Sequence, residues 1–169
     1  MTLRFGILTI SDRSSRGERP DASGPALLDA VIAMGWQVIE TCIIPDDVQA
    51  ICQKLADWVD SNRFDIVLTT GGTGFSPRDV TPDATRLVVE RLTPGLDEAM
   101  RNASLRVTPH AMLSRAISGI RRQTLIINLP GSPKGALENF QVVTPVLAHA
   151  VELLREDPHS EKGHLASNP

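Results

Sequence analysis

Short apolar runs alternate with amphipathic stretches along most of the chain. Arg4 to Ile10 carries Phe5, Ile7, Leu8 and Ile10 and predicts a first strand. A polar segment, Ser11 to Gly17, follows it. After Gly24 and Pro25 a helix places Leu27, Leu28, Val31 and Ile32 on one stripe and stops at Gly35. Val38 to Ile44 predicts strand two. Pro45-Asp46-Asp47 is a turn, with Asp47 the better-placed N-cap for a helix burying Val48, Ile51, Cys52, Leu55, Trp58 and Val59. Ile66, Val67 and Leu68 have the size and β-branched content of a buried strand. The next helix is predicted to start with Thr81 as N-cap and Pro82 at its first position. It carries Leu87, Val88 and Leu92 until Pro94-Gly95 breaks it, and Leu96 to Arg106 predicts another. Ala111 to Ile117 is compatible with a short helix, and the segment around Gly119 reads as loop. Thr124 to Leu129 predicts a further buried strand, and Ala136 to Leu154 a last amphipathic helix.

Strands alternating with helices predict an α/β class: a single three-layer α/β/α domain with a mainly parallel sheet. The domain is expected over residues 1–156, with 157–169 a polar tail expected to be disordered. Ligands of such sheets bind beyond the carboxyl ends of the strands. Four unusual loops fall there: Ser11-Asp12, Pro45-Asp46-Asp47, Gly71 to Gly74, and Pro130 to Gly135. Their convergence on one edge is the main argument for a site.

Composition narrows the function. At 169 residues the chain is long enough for one sizeable core, with 41% hydrophobic and 22% charged residues, both ordinary values. A net charge of −3 and the absence of Tyr argue against nucleic-acid binding. No apolar run approaches a membrane span, and the N-terminus enters a strand pattern with no cleavable signal, so a cytoplasmic protein is expected. Cys42 and Cys52 read as reduced core residues. The histidines at 110, 149, 159 and 164 each stand alone, without metal-ligand spacing.

The central loop, Thr69-Thr70-Gly71-Gly72-Thr73-Gly74, follows a strand and precedes a helix. That order presents backbone N–H groups to a phosphate, and the glycines allow close approach. It lacks the Lys of a Walker A loop and the spacing of a dinucleotide-binding loop. Its charged neighbours are Arg78, Asp79 and Asp83. Carboxylates beside an anion site suggest Mg²⁺, which is held by one or two carboxylates plus substrate phosphates. The plainer alternative is a tight turn whose Arg78 and Asp79 neutralise each other in solvent.

TTGGTG followed by SPRDVTPDAT resembles the signature of the MogA/MoaB-type molybdenum-cofactor enzymes, the molybdopterin adenylyltransferases. ISDR near the start, IIPDD, and SLRVTPHAMLSRAISGIRRQTLIINLPG agree in order, so the resemblance covers about residues 4 to 155. It implies transfer of AMP from Mg-ATP to the terminal phosphate of molybdopterin, a homotrimer, a cytosolic location, and a partner enzyme that inserts molybdenum into the product. Carried onto this chain, it implies catalytic and metal-binding carboxylates at Asp46 and Asp79. Asp79 has an alternative role as an Asx turn or cap. Substrate contacts are implied at Ser11, Asp12, Gly71, Gly72, Thr73, Gly74, Ser104, Ser114, Pro130, Gly131 and Ser132. Asp12 reads nearly as well as a turn cap, Arg115 as a phosphate fork or a surface ion pair, and Lys134 as an anion partner or a solvated side chain. Two rivals remain open. One is a non-catalytic relative that binds molybdopterin or its precursor as a carrier or scaffold. The other is a nucleotide-binding phosphotransferase that turns over ATP without a pterin.

Overall fold

The computed structural model describes residues 1–156; the tail expected at 157–169 lies outside them. In chain order the elements are β1 (Arg4–Ile10), α1 (Asp12–Ser15), α2 (Ser23–Ala33), β2 (Gln37–Ile44), α3 (Val48–Asp60), β3 (Ile66–Thr70) and α4 (Thr81–Val88). Then come β4 (Arg91–Leu92), α5 (Pro94–Leu105), a 3-10 turn (Pro109–Leu113), β5 (Ser118–Arg121), β6 (Thr124–Leu129) and α6 (Pro133–Leu154).

The six strands form one sheet in the order β2-β1-β3-β6-β5-β4. β2, β1, β3 and β6 pair in parallel, and β5 and β4 add antiparallel ladders. The expected mainly parallel α/β sheet is therefore present. β3 and β6 are buried at every position, as parallel strands covered on both faces must be. Successive side chains go to opposite faces. Ile66, Leu68, Leu125, Ile127 and Leu129 join one core with α2, α5 and α6, and Val67 and Ile126 join the other with α3 and α4. β2, at the edge, alternates between exposed and half-buried residues.

Several local expectations change. Asp47 caps α3 as predicted, its Oδ1 accepting the Ala50 N–H at 2.8 Å. Thr81 does not cap α4. Val80 holds that position, and the buried Thr81 hydroxyl instead donates to the Gly71 carbonyl at 2.8 Å. α4 ends at Val88, where Val89 turns extended, so Leu92 sits on β4 and Leu87 faces solvent. Pro94 starts α5 rather than separating two helices, since an N–H at the first helical position would have no acceptor within the helix. The short helix expected at Ala111 to Ile117 is a 3-10 turn that begins earlier, at Pro109. The expected loop around Gly119 is strand β5. Its pairing with β6 is non-local, and its Ser and Gly carry little strand propensity. Cys42 and Cys52 are free thiols as expected, half-buried rather than in the core.

Candidate functional site

The site lies where β1, β2, β3 and β6 end. Backbone conformation positions the central loop. Gly71 and Gly72 have φ of +104° and +64°, and a Cβ on either would lie 2.3 Å from the Ile10 carbonyl or 2.4 Å from Thr81 Oγ1. Only glycine fits both demands. The Gly71 N–H donates to the Leu129 carbonyl, and the Thr70 hydroxyl to the Pro130 carbonyl at 2.7 Å. A Cβ on Gly131 would lie 3.1 Å from Gly71 Cα, so the two glycine loops run back to back.

The N–H groups of Gly72, Thr73, Gly74, Gly131 and Ser132 meet no acceptor among the described residues. The start of α4 offers less than the sequence suggested. Its Thr81 N–H is taken by the Gly72 carbonyl and its Ala84 N–H by Val80. The donors for an anion are those of the loops, not of this helix.

Ser11 caps α1, its Oγ accepting the Ser14 N–H at 3.2 Å. Asp12 and Asp46 interlock: the Asp12 N–H donates to Asp46 Oδ2 at 2.7 Å, and the Asp46 N–H to Asp12 Oδ1 at 3.0 Å. Burial pushes the Asp46 carboxyl above its ordinary pKa, and the nearby Asp12 charge adds to this. Burial alone would raise Asp12 too, but the Arg78 guanidinium and the Asp46 N–H together outweigh it and hold Asp12 below the usual range. Arg78 grips that carboxylate with Nε at 3.0 Å and Nη2 at 2.8 Å from Oδ2. Mutual neutralisation of Arg78 and Asp79 is thus replaced by a bridge from Arg78 to another loop. Asp79 folds back on its own loop, Oδ2 accepting the Ser76 N–H at 2.9 Å.

Two pockets adjoin here. The larger, about 840 Å³, is lined by Ser11, Asp12, Asp46, Gly71, Gly72, Asp79, Gly131 and Ser132. The smaller, about 220 Å³, takes Thr73, Ser104, Ser114, Pro130 and Ser132. Ser132 borders both and caps α6, with the Gly135 N–H 3.1 Å from its Oγ. Gly74 lines neither pocket; its carbonyl accepts from Arg115 Nε at 3.0 Å. Arg115 pairs with Asp83 rather than pointing into a pocket, and Lys134 pairs with Glu138 on the exposed side of α6.

Sequence reasoning missed three residues of the larger pocket: Arg13, within the segment Ser11 to Gly17 read only as polar, and Arg19 and Asp21, between that segment and α2. In the smaller pocket it missed Asp97, Asn128 and Asn139; His110, read as structural or exposed, is exposed and also lines this pocket. Asn128 had a legible signal, an amide in the otherwise apolar TLIINL. Fully buried, it donates to the Thr69 and Thr85 hydroxyls at 2.9 and 3.0 Å. Asn139 reaches Ser104 from α6, its Nδ2 3.1 Å from Ser104 Oγ. Burial raises Asp97, whose carboxylate accepts from the Ser118 hydroxyl and N–H.

Together these features define a three-layer α/β domain with paired ligand pockets at the carboxyl edge of its sheet. Residues 6–149 match the family described as "Probable molybdopterin binding domain", and the chain belongs to that family. It is 47% identical over 145 residues to molybdopterin adenylyltransferase of Escherichia coli K12, covering 84% of this chain and 74% of that protein. It is 45% identical over 165 residues to gephyrin of Dictyostelium discoideum, covering 92% of this chain but 23% of gephyrin. The crystal structure of the molybdopterin biosynthesis enzyme MoaB from Thermus thermophilus superposes with a TM-score of 0.87 at 46% identity, covering 93% of this chain and 99% of that one.

Proposed function

We propose that this chain transfers AMP from Mg-ATP to the terminal phosphate of molybdopterin, yielding adenylyl-molybdopterin and pyrophosphate. One observation carries the reading. Asp46 and Asp79 line the same cavity as Gly72, Gly131 and Ser132, whose N–H groups have no protein acceptor among the described residues.

The chemistry asks little covalent help of the protein. A phosphate oxygen of molybdopterin attacks the α-phosphorus of ATP, the bond to the bridging oxygen breaks, and pyrophosphate leaves with the electron pair. A phosphate monoester is already largely ionised at neutral pH, its second pKa being about 6, so no strong base is needed. Positioning and charge neutralisation do the work. In this reading the larger pocket holds the triphosphate against the loop N–H groups. The smaller pocket receives the pterin end, and Ser132 stands at the boundary where the two phosphates meet.

The carboxylates fit Mg²⁺. Asp46 and Asp79 each accept one N–H on Oδ2, and Oδ1 of each accepts none among the described residues. No group of three or more acidic, His or Cys side chains among the described residues forms a metal cage, which suits an ion completed by substrate phosphates. Bound there, Mg²⁺ would neutralise charge on the phosphates.

The test is pyrophosphate release from Mg-ATP with and without molybdopterin. Release that depends on molybdopterin is expected. No release, with molybdopterin still tightly bound, would instead favour a non-catalytic carrier, and equal release without it a general phosphotransferase. On the family resemblance we further propose a cytoplasmic homotrimer that passes its product to a molybdenum-inserting enzyme. No described helix is long and apolar enough to cross a membrane.

A further inference from the structure

The segment from Thr73 to Val80 begins at a residue of the smaller pocket, Thr73, and carries a residue of the larger one, Asp79. Phe75, Ser76, Pro77 and Arg78 are exposed, and Asp79 is half-buried. Within the segment there are only short-range bonds, Asp79 N–H to the Ser76 carbonyl, Ser76 N–H to Asp79 Oδ2, and Arg78 N–H to Ser76 Oγ. Such a loop has little burial to hold it in one conformation.

Arg115 supplies what burial does not. Its N–H donates to the Thr73 carbonyl at 2.8 Å. Its Nε donates to the Gly74 carbonyl at 3.0 Å, its Nη2 to the Asp79 carbonyl, and both Nη groups to the Asp83 carboxylate at 3.1 and 2.9 Å. One side chain thus grips both ends of the segment and the first turn of α4. In a trans peptide the N–H points opposite to the C=O. Drawing the Thr73 carbonyl to Arg115 turns the Gly74 N–H away from it. A Cβ on that glycine would lie 2.9 Å from Asp79 Oδ2, so the Asp79 carboxylate packs directly against Gly74.

We infer that Arg115 is a positioning residue, clamping residues 73–79 so that Asp79 presents its carboxylate to the larger pocket in one fixed place. The inference rests on the adenylyl-transfer reading above. Arg115 lines neither pocket and its side chain is 36% exposed, so it acts through Asp79 rather than on substrate. A planar fork with five N–H groups can serve three acceptors in fixed directions; a single ammonium cannot.

The experiment compares wild type, Arg115→Ala, Arg115→Lys and Asp83→Asn by steady-state pyrophosphate release, with activity normalised to the folded fraction. Hydrogen exchange of the 74–80 amides is measured alongside. A misplacement of about 1 Å costs on the order of 100-fold in rate. Arg115→Ala should therefore lose about 10- to 100-fold in kcat with the KM for molybdopterin little changed, and its 74–80 amides should exchange faster. Arg115→Lys should not restore the rate. Asp83→Asn, which keeps all three carbonyl bonds, should lose less. Added guanidinium ion should partly rescue Arg115→Ala. Full recovery by Lys, an unchanged kcat, or a loss that disappears on normalisation would overturn the positioning role. If wild type itself releases no pyrophosphate, the functional reading fails, and the exchange data alone decide: unchanged exchange in Arg115→Ala removes the clamp as well.

Discussion

Asp12 and Asp46, 34 positions apart, each accept the other's backbone N–H with a carboxylate oxygen. The pairing locks the loop after β1 to the loop after β2 and holds Asp46 partly buried. A buried carboxylate with a raised pKa binds its proton more tightly in the folded than in the unfolded state. Stability from this group is therefore present at low pH and falls as pH rises through the folded-state pKa, so at neutral pH its charge is a cost.

Asp46→Asn removes that charge and keeps the shape. Its thermal midpoint at pH 7 should equal or exceed that of wild type, while molybdopterin-dependent pyrophosphate release drops at least ~10-fold, a trade of stability for function. A destabilised Asp46→Asn would show that the charge itself supports the fold.

Asp79→Asn should lower pyrophosphate release by at least an order of magnitude, about the loss typical of one preorganised electrostatic group or more. Equilibrium binding of molybdopterin should persist. Unchanged turnover would reject a metal-binding role for this carboxylate.

Gly71→Ala should destabilise the protein by at least ~2 kcal/mol and abolish activity. The substitution forces a residue into positive φ and drives a methyl into the Ile10 carbonyl, which is backbone and has little room to yield. Gly17→Ala, with φ +72° and open space around it, isolates the conformational cost and should lose about 1 kcal/mol. Chemical denaturation of both variants separates clash from strain.

Asp65 governs part of the acid limb. Burial would raise its pKa, but hydrogen bonds from Arg4 and Arg155 outweigh burial and hold the carboxyl low. A lowered folded-state pKa gives stability that is present above the unfolded value of about 3.9 and is lost as pH falls through the folded one. Asp65→Asn should cost about 1–3 kcal/mol at pH 7 and flatten the decline of the melting temperature below pH 4. An unchanged acid limb would locate that sensitivity elsewhere.

Features written within a few residues were legible in the sequence. The apolar runs of β3 and β6, the glycine pair, the Asp47 cap and the four loops at one sheet edge follow from side-chain periodicity, capping and the parallel strands that alternating β and α elements imply. Those rules act locally or through the order of elements. The tertiary structure decided which charged group meets which. Arg78 passes its neighbour Asp79 for Asp12, 66 positions away, and Arg115 takes Asp83, 32 positions away. It also turned the Gly119 segment into a strand, since β6 supplies a partner that local propensity does not announce. It divided one expected site into two pockets meeting at Ser132. Long side chains choose partners by distance and desolvation in the folded chain, and sheet order sets those distances, so no local pattern records them.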